Sequence, residues 1–237
     1  MDEAKSRRME HEAEMGVGYA KSRRLFVALL PDESARDELV ATQRALLPHF
    51  DHGRLTSREN LHLTLAFLGK LDASHEERAL AAMRFAAHDA HVGKICLELG
   101  DIGCFEKRRG SIVWRGLRGE SEPGGASIAE TQPGHERLLL LRGVLGAQLL
   151  REGVIDEPLH HFSPHMTLAR GCRLRKEERE AGMDAFLAQA NEQLAAHEVA
   201  TARSGAARMR VGAMSLMWSH HPDGGALTYT EVARVSL

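Results

Sequence analysis

The sequence predicts an α+β protein with two similar lobes, each a sheet covered by helices on one side. Three observations predict it. The hydrophobic patterns follow the order strand, helix, strand, helix, strand, strand, then a polar stretch, then helix, strand, helix, strand, strand, so the second half echoes most of the first. The chain has 237 residues, 43% hydrophobic and 27% charged, enough to bury a sizeable core without disulfide staples. The tetrapeptide His-x-Thr-Leu occurs at matching points of the two halves, at His62 and at His165.

Residues 1–23 are charged and poor in large apolar side chains, and are expected to form a flexible N-terminal extension. Residues 24–237 are expected to form one bilobal domain. Arg24–Leu30 is an apolar run ended by Pro31, as a buried strand is. Asp32 and Ser34 are N-cap candidates for a helix over about 32–47 that stops before Pro48. Leu61–Leu68 reads as the next strand, ending at Gly69. Residues 74–90, rich in Ala, Glu, Arg and Leu, read as a helix, and Lys94–Asp101 and Ser111–Leu117 as two strands. Gly119–Gly134 holds three acids and two prolines among glycines and is expected to be a mobile loop. A helix over 135–151 carries Leu138, Leu141, Leu145 and Leu149 near one face. His165–Ala169 is a strand introduced by Pro164, and 175–197 is helical. Arg208–Trp218 and Ala226–Val235 are strands joined by a turn at Pro222–Gly225.

Several function classes are disfavoured. The net charge of −2, from 31 basic and 33 acidic residues, does not suit a protein that wraps long nucleic acid. Three cysteines without CxxC spacing suggest a reduced, cytoplasmic protein. No apolar stretch reaches the length of a membrane span. There is no GxSxG string, and Gly69-Lys70 is followed by leucine, so neither a serine-hydrolase elbow nor a phosphate-binding P-loop is present. His160, His161 and His165 invite a metal reading. Pro164 argues against the helix that would align His161 with His165, and no HExxH occurs, so no metal is expected. His220 and His221 precede a turn signature and read as exposed loop residues.

The repeated tetrapeptide carries the chemistry. In a strand His62 and Thr64 share one face while Leu63 and Leu65 share the other, and His165 and Thr167 relate in the same way to Met166 and Leu168. Two such hits would arise by accident in roughly one chain in several hundred. In-line attack by water on a phosphodiester needs a base on the nucleophile and an acid on the leaving oxygen, on opposite sides of phosphorus. Two imidazoles from two lobes supply that geometry near neutral pH. Threonine hydroxyls can donate to the non-bridging oxygens, whose charge grows in the transition state.

These residues resemble the two-histidine (2H) phosphoesterase superfamily. Within it, the chain is similar to the bacterial RNA 2′,3′-cyclic phosphodiesterases, also called 2′-5′ RNA ligases. The resemblance runs over Arg24-Leu25-Phe26-Val27-Ala28, Glu59–Gly69, Ile112–Gly116, Phe162–Arg170 and the closing segment at Tyr229. It implies a bilobal fold of antiparallel sheets with pseudo-twofold symmetry, helices outside and an active-site cleft between the lobes. It implies His62 as proton donor, His165 as proton acceptor, and Thr64, Thr167 and Arg170 as phosphate-binding residues, with no cofactor or metal. The implied substrates are RNA 3′ ends or small cyclic-phosphate nucleotides, acted on by a monomer. Strict alternation puts Arg170 on the face opposite His165, so the strand must bend, or the side chain reach around, for it to serve. Val27 stands where relatives commonly carry an aromatic residue, so no stacking role is assigned there. Phe26 has no assigned face, and Trp114 is expected in the core.

Hydrolysis of RNA 2′,3′-cyclic phosphate ends to a 2′-phosphomonoester is the leading expectation. Alternatives are 2′-5′ ligation or cleavage of small cyclic nucleotides at the same site, and a non-catalytic module that binds RNA ends. Arg173 and Arg175 directly follow the second motif and could steer an RNA end electrostatically.

Overall fold

The computed structural model describes residues 22–118, 133–200 and 207–237. Residues 1–21 of the expected N-terminal extension and 119–132 of the expected Gly119–Gly134 loop lie outside these, whereas Arg23 opens the first strand and Pro133 and Gly134 open a helix. The strands are β1 (Arg23–Leu29), β2 (Phe50–Leu55), β3 (Leu63–Leu71), β4 (Ile95–Phe105), β5 (Ser111–Leu117), β6 (Met166–Leu174), β7 (Arg208–Val211), β8 (Ala213–His220) and β9 (Thr228–Ser236). The helices are α1 (Glu33–Leu46), α2 (Ala73–Asp89), α3 (Pro133–Arg151), α4 (Lys176–Arg179) and α5 (Gly182–Ala200).

The strands pair antiparallel in the order β7-β4-β5-β6-β3-β1-β8-β9, with β2 added on β6. One residue pair, Leu63 with Met166, joins β3 to β6. That seam divides the curled sheet into a wing of β3, β1, β8 and β9 and a wing of β6, β5, β4, β7 and β2. Helix α2 covers the first wing, with α3 packed on it and reaching β4 across the seam, while α1 and α5 cover the second. The leucine stripe of α3 is buried as its spacing predicts, with Leu138, Leu141, Leu145 and Leu149 all sealed from solvent.

The wings are not the two halves of the chain. The first half sends β1, β3 and α2 to one wing and α1, β4 and β5 to the other. The second half also divides. The strand expected over Arg208–Trp218 breaks at Gly212 into β7, which pairs with β4, and β8, which pairs with β1. The helix expected over 175–197 breaks between Arg179 and Gly182, where Gly182, with a φ of +85°, turns the chain into the start of α5. Strand β2 has no sequence signature. Of Phe-Asp-His-Gly-Arg-Leu only Phe50 is buried, and its backbone is held by pairing with β6 alone.

Local signals place the helices. Asp32 caps α1 by accepting from the Ala35 amide at 3.0 Å, and Asp72 caps α2 by accepting from His75 N at 3.0 Å. The helix layer is tied to the sheet by Arg115 of β5, which is completely buried. Its Nε donates to Gly100 O at 3.0 Å, and its terminal nitrogens donate to Thr42 Oγ1 at 2.9 Å and Glu198 Oε1 at 3.2 Å. A buried guanidinium is tolerated only when paired and hydrogen-bonded in this way.

Two matching bulges set the site. Along β3, Thr64 and Ala66 sit opposite Ala28 and Val27, so Leu65 is an extra residue. Along β6, Thr167 and Ala169 sit opposite Trp114 and Val113, so Leu168 is an extra residue. A bulge takes a residue out of the ladder and resets the alternation. Leu65 and Ala66 therefore both face the core, as do Leu168 and Ala169. The displaced carbonyls are not left bare. Arg142 Nε, from α3, donates to Leu65 O at 3.2 Å, and Gln43 Nε2, from α1, donates to Leu168 O at 2.7 Å. Each wing's helix thus holds the equivalent kink in its strand.

Candidate functional site

The two histidines lie just before their strands rather than within them, because each ring is tied backwards to the chain. His62 Nδ1 donates to Asn60 O at 2.7 Å, and His165 Nδ1 donates to Ser163 O at 2.7 Å. These bonds fix the same tautomer in both rings and leave each Nε2 lone pair for the cleft. The Thr64 hydroxyl donates to His62 Nε2 at 3.0 Å. The Thr167 hydroxyl makes no hydrogen bond among the described residues. A cavity of about 230 Å³ gathers His62, Thr64, His165, Thr167 and Arg170, the five residues the sequence singled out.

Arg170 reaches this cavity because the Leu168 bulge cancels the alternation that places it on the far face. Its guanidinium makes no hydrogen bond or ion pair among the described residues. It lies close enough to lower the proton affinity of both imidazoles. The pseudo-symmetric position, five residues after His62, is Phe67. The Leu65 bulge returns it to the cleft, where it is 75% exposed.

The surroundings of the two rings differ. His62 is enclosed by Phe26 at 4.9 Å and by Tyr229, edge-on at 5.0 Å. Burial pushes its pKa down to about 4 against the opposing bond to Asn60, with smaller lowering contributions from Arg170 and His165. His165 packs edge-on against Phe105 at 4.9 Å and against Trp114 at 5.9 Å, and burial followed by Arg170 lowers its pKa too.

Several expectations are corrected. Trp114 is half-buried and faces His165 rather than the core. The Gly103 backbone lies against its ring, where a Cβ would stand 2.3 Å from the indole. Phe26 faces the cleft, in a small cluster with Ala28, Met217 and Tyr229, while Val27 is buried on the opposite face. Strand β4 runs past Asp101 to Phe105, which brings Phe105 to His165. His220 is the last residue of β8 and stacks on Trp218 at 3.9 Å. Among the described residues no three His, Cys, Asp or Glu side chains converge as a metal-binding set, and no helix is long and apolar enough to cross a membrane.

The sequence reading missed Asn60, Phe67 and Phe105. Asn60 Nδ2 donates to Leu227 O at 2.9 Å and its Oδ1 accepts from Tyr229 N at 3.1 Å, so one side chain ties the start of β9 to the His62 turn. The internal repeat could have flagged Phe67, since it stands in the first copy where Arg170 stands in the second.

Two anchored imidazoles, two threonines and an unpaired arginine line one cavity, a lining whose chemistry suits a phosphate ester. Comparison with known proteins agrees at the level of class. The family model described as LigT-like phosphoesterase matches residues 29–114. The RNA 2′,3′-cyclic phosphodiesterase of Escherichia coli (strain K12) is 30% identical over 151 residues, covering 64% of this chain and 73% of that one. Among solved structures, E. coli LigT complexed with 3′-AMP has a TM-score of 0.58 at 25% identity, covering 92% of this chain and 98% of that one. A protein from Thermus thermophilus shares the fold, with a TM-score of 0.60 at 23% identity over 90% of this chain and 97% of that one. The chain belongs to the LigT-like phosphoesterases of the 2H superfamily.

Proposed function

We propose that the protein hydrolyses RNA ends bearing a 2′,3′-cyclic phosphate to 2′-phosphomonoesters, using its two histidines as acid and base and no metal. The observation that carries this reading is the pair of Nδ1-anchored rings whose Nε2 atoms face one cavity beside Thr64, Thr167 and Arg170. The E. coli relative, named an RNA 2′,3′-cyclic phosphodiesterase, supports the substrate class.

In this mechanism the cyclic phosphate sits on Arg170 and the Thr167 hydroxyl, with Thr64 beside His62. Water attacks phosphorus and gives its proton to His165 Nε2. The bond from phosphorus to O3′ breaks, and O3′ takes a proton from His62 Nε2. In the ligand-free site both rings are neutral at pH 7, since burial and Arg170 disfavour the charged form. The substrate's negative charge offsets Arg170 and restores proton affinity to the ring that must act as acid. Phe67 and Tyr229 offer aromatic faces at the same cavity for the terminal base.

The electrostatics favour a second reading of the roles. His62 is pushed to about 4 and His165 is displaced less, so His165 holds a proton more readily and would be the donor. The primary test is incubation of a cyclic-phosphate-ended oligonucleotide with the protein in EDTA, followed by identification of the product. A 2′-phosphate product supports the reading. An intact substrate, or activity that requires added metal, overturns it. A joined 2′,5′ product, or turnover of free cyclic nucleotides alone, moves the assignment to ligation or to small substrates.

A further inference from the structure

Strand β2 brings an arginine to the site that the sequence did not mark. Arg54 lies directly opposite Arg170 across the β2–β6 ladder. Directly opposed residues in an antiparallel pair share a face, with Cβ atoms about 5 Å apart. Neither guanidinium makes a hydrogen bond or an ion pair among the described residues. Like charges placed this way destabilise a sheet unless an anion sits between or above them.

The two arginines line a second cavity, of about 350 Å³, which His62 also lines and Phe67 does not. His62, Thr167, Arg170 and Tyr229 wall both cavities, so a phosphate at Arg170 opens to each. The first cavity has the aromatic walls Phe26 and Phe67. The second carries the hydroxyls of Thr56, Ser57 and Thr228 with Arg54. Glu59 lies on its rim and pairs with neither arginine. Beyond Arg54, the next cross-strand pair on the same face is His52 with Arg173, which continues the basic row away from the cleft.

We propose that this second cavity is the subsite for the penultimate nucleotide of an RNA chain, with Arg54 holding the internucleotide phosphate while Arg170 holds the reacting one. The terminal base then lies on the Phe67 side, and the upstream chain leaves along the β2–β6 ribbon. The inference rests on the proposed activity for its substrate class, but the cavity and the opposed arginines stand without it. A positively charged groove that follows the backbone, with arginines contacting phosphates, is a common way to bind single-stranded nucleic acid.

The test is equilibrium binding of two ligands, a mononucleotide 2′-phosphate and a dinucleotide ending in the same group, to the wild type and to Arg54→Gln and Arg54→Lys. The wild type is expected to bind the dinucleotide about tenfold more tightly. Arg54→Gln should bring that ratio close to one and lower the salt slope for the dinucleotide by about 0.7, the share of one single-strand phosphate contact. Arg54→Lys should restore part of the ratio. Equal binding of both ligands by the wild type overturns the subsite. Equal weakening of both by Arg54→Gln also overturns it, because Arg54 would then serve the reacting phosphate. The ligands are not hydrolysed in this assay, so a preserved ratio in a protein that turns over no cyclic phosphate leaves the subsite standing and removes the proposed activity. Turnover with a ratio of one does the reverse.

Discussion

The His62 and His165 motifs share a backbone device and differ in what surrounds it. Each ring donates through Nδ1 to the carbonyl two residues earlier. Each threonine is followed by a bulged leucine whose carbonyl is bonded by a helix side chain. Five residues after each histidine the chain returns to the cleft, presenting Phe67 in one wing and Arg170 in the other. His62 is enclosed by Phe26 and Tyr229 and bonded to Thr64, whereas His165 has a more open ring and an unbonded threonine. One scaffold repeated twice builds a symmetric frame, and the residues grafted on it place the exposed ring of Phe67 in one wing where the other carries the cation of Arg170.

The largest effect expected from breaking this symmetry is at the rings. His62→Ala and His165→Ala should each lower kcat for a cyclic-phosphate oligonucleotide by about 10²- to 10⁴-fold. A diester with a leaving group that needs no proton, such as a p-nitrophenyl ester, separates the roles. The variant lacking the donor should recover most of its rate on that ester, and the variant lacking the base should not. Recovery by His62→Ala supports the family-like assignment, and recovery by His165→Ala supports the electrostatic one.

The Phe67 and Arg170 positions should divide KM from kcat. Arg170→Gln removes a charge beside the phosphate and is expected to lower kcat about 100-fold. Phe67→Ala removes a stacking face and should raise KM about tenfold with a smaller change in kcat. Similar kinetic signatures from the two variants would mean that the wings do not divide base from phosphate.

A smaller effect concerns acid stability. His62 has a pKa of about 4 when folded against about 6.5 when unfolded, so the unfolded chain binds more protons between these values. The contribution of neutral His62 is fully present above pH 6.5 and is lost as pH falls toward 4, by roughly 3 kcal/mol. His62→Gln should flatten that part of the stability profile measured by urea unfolding. His165→Gln should flatten it less, since its displacement is smaller. An identical loss in both variants would contradict the difference in enclosure.

The smallest effect is at the rim. Reversing charge at Arg173 and Arg175, both exposed, should reduce the salt dependence of oligonucleotide turnover. An unchanged slope would remove any steering role.

The sequence by itself determined the elements whose signals are local. The burial of β1, the cap at Asp32 and the leucine stripe of α3 all follow from hydrophobic period and side-chain chemistry. The repeated tetrapeptide likewise named the two rings and both threonines, because the repeat lies in the residues themselves, while Arg170 came only from the family resemblance. Tertiary structure alone decided how these meet. Strand β2 exists because β6 supplies its hydrogen-bond partners, so its residues carry no apolar pattern and Arg54 stayed invisible. The breaks at Gly182 and Gly212 assign neighbouring segments to different elements and wings, which a continuous pattern cannot reveal. Strict alternation misplaces Arg170 because it assumes a regular ladder. The bulge at Leu168 depends on a carbonyl bonded by Gln43, which is 125 residues away in the chain. Periodicity reports which side chains avoid water over a few residues, whereas register is set by partners distant in sequence, and register turned Phe67 and Arg170 into the cleft.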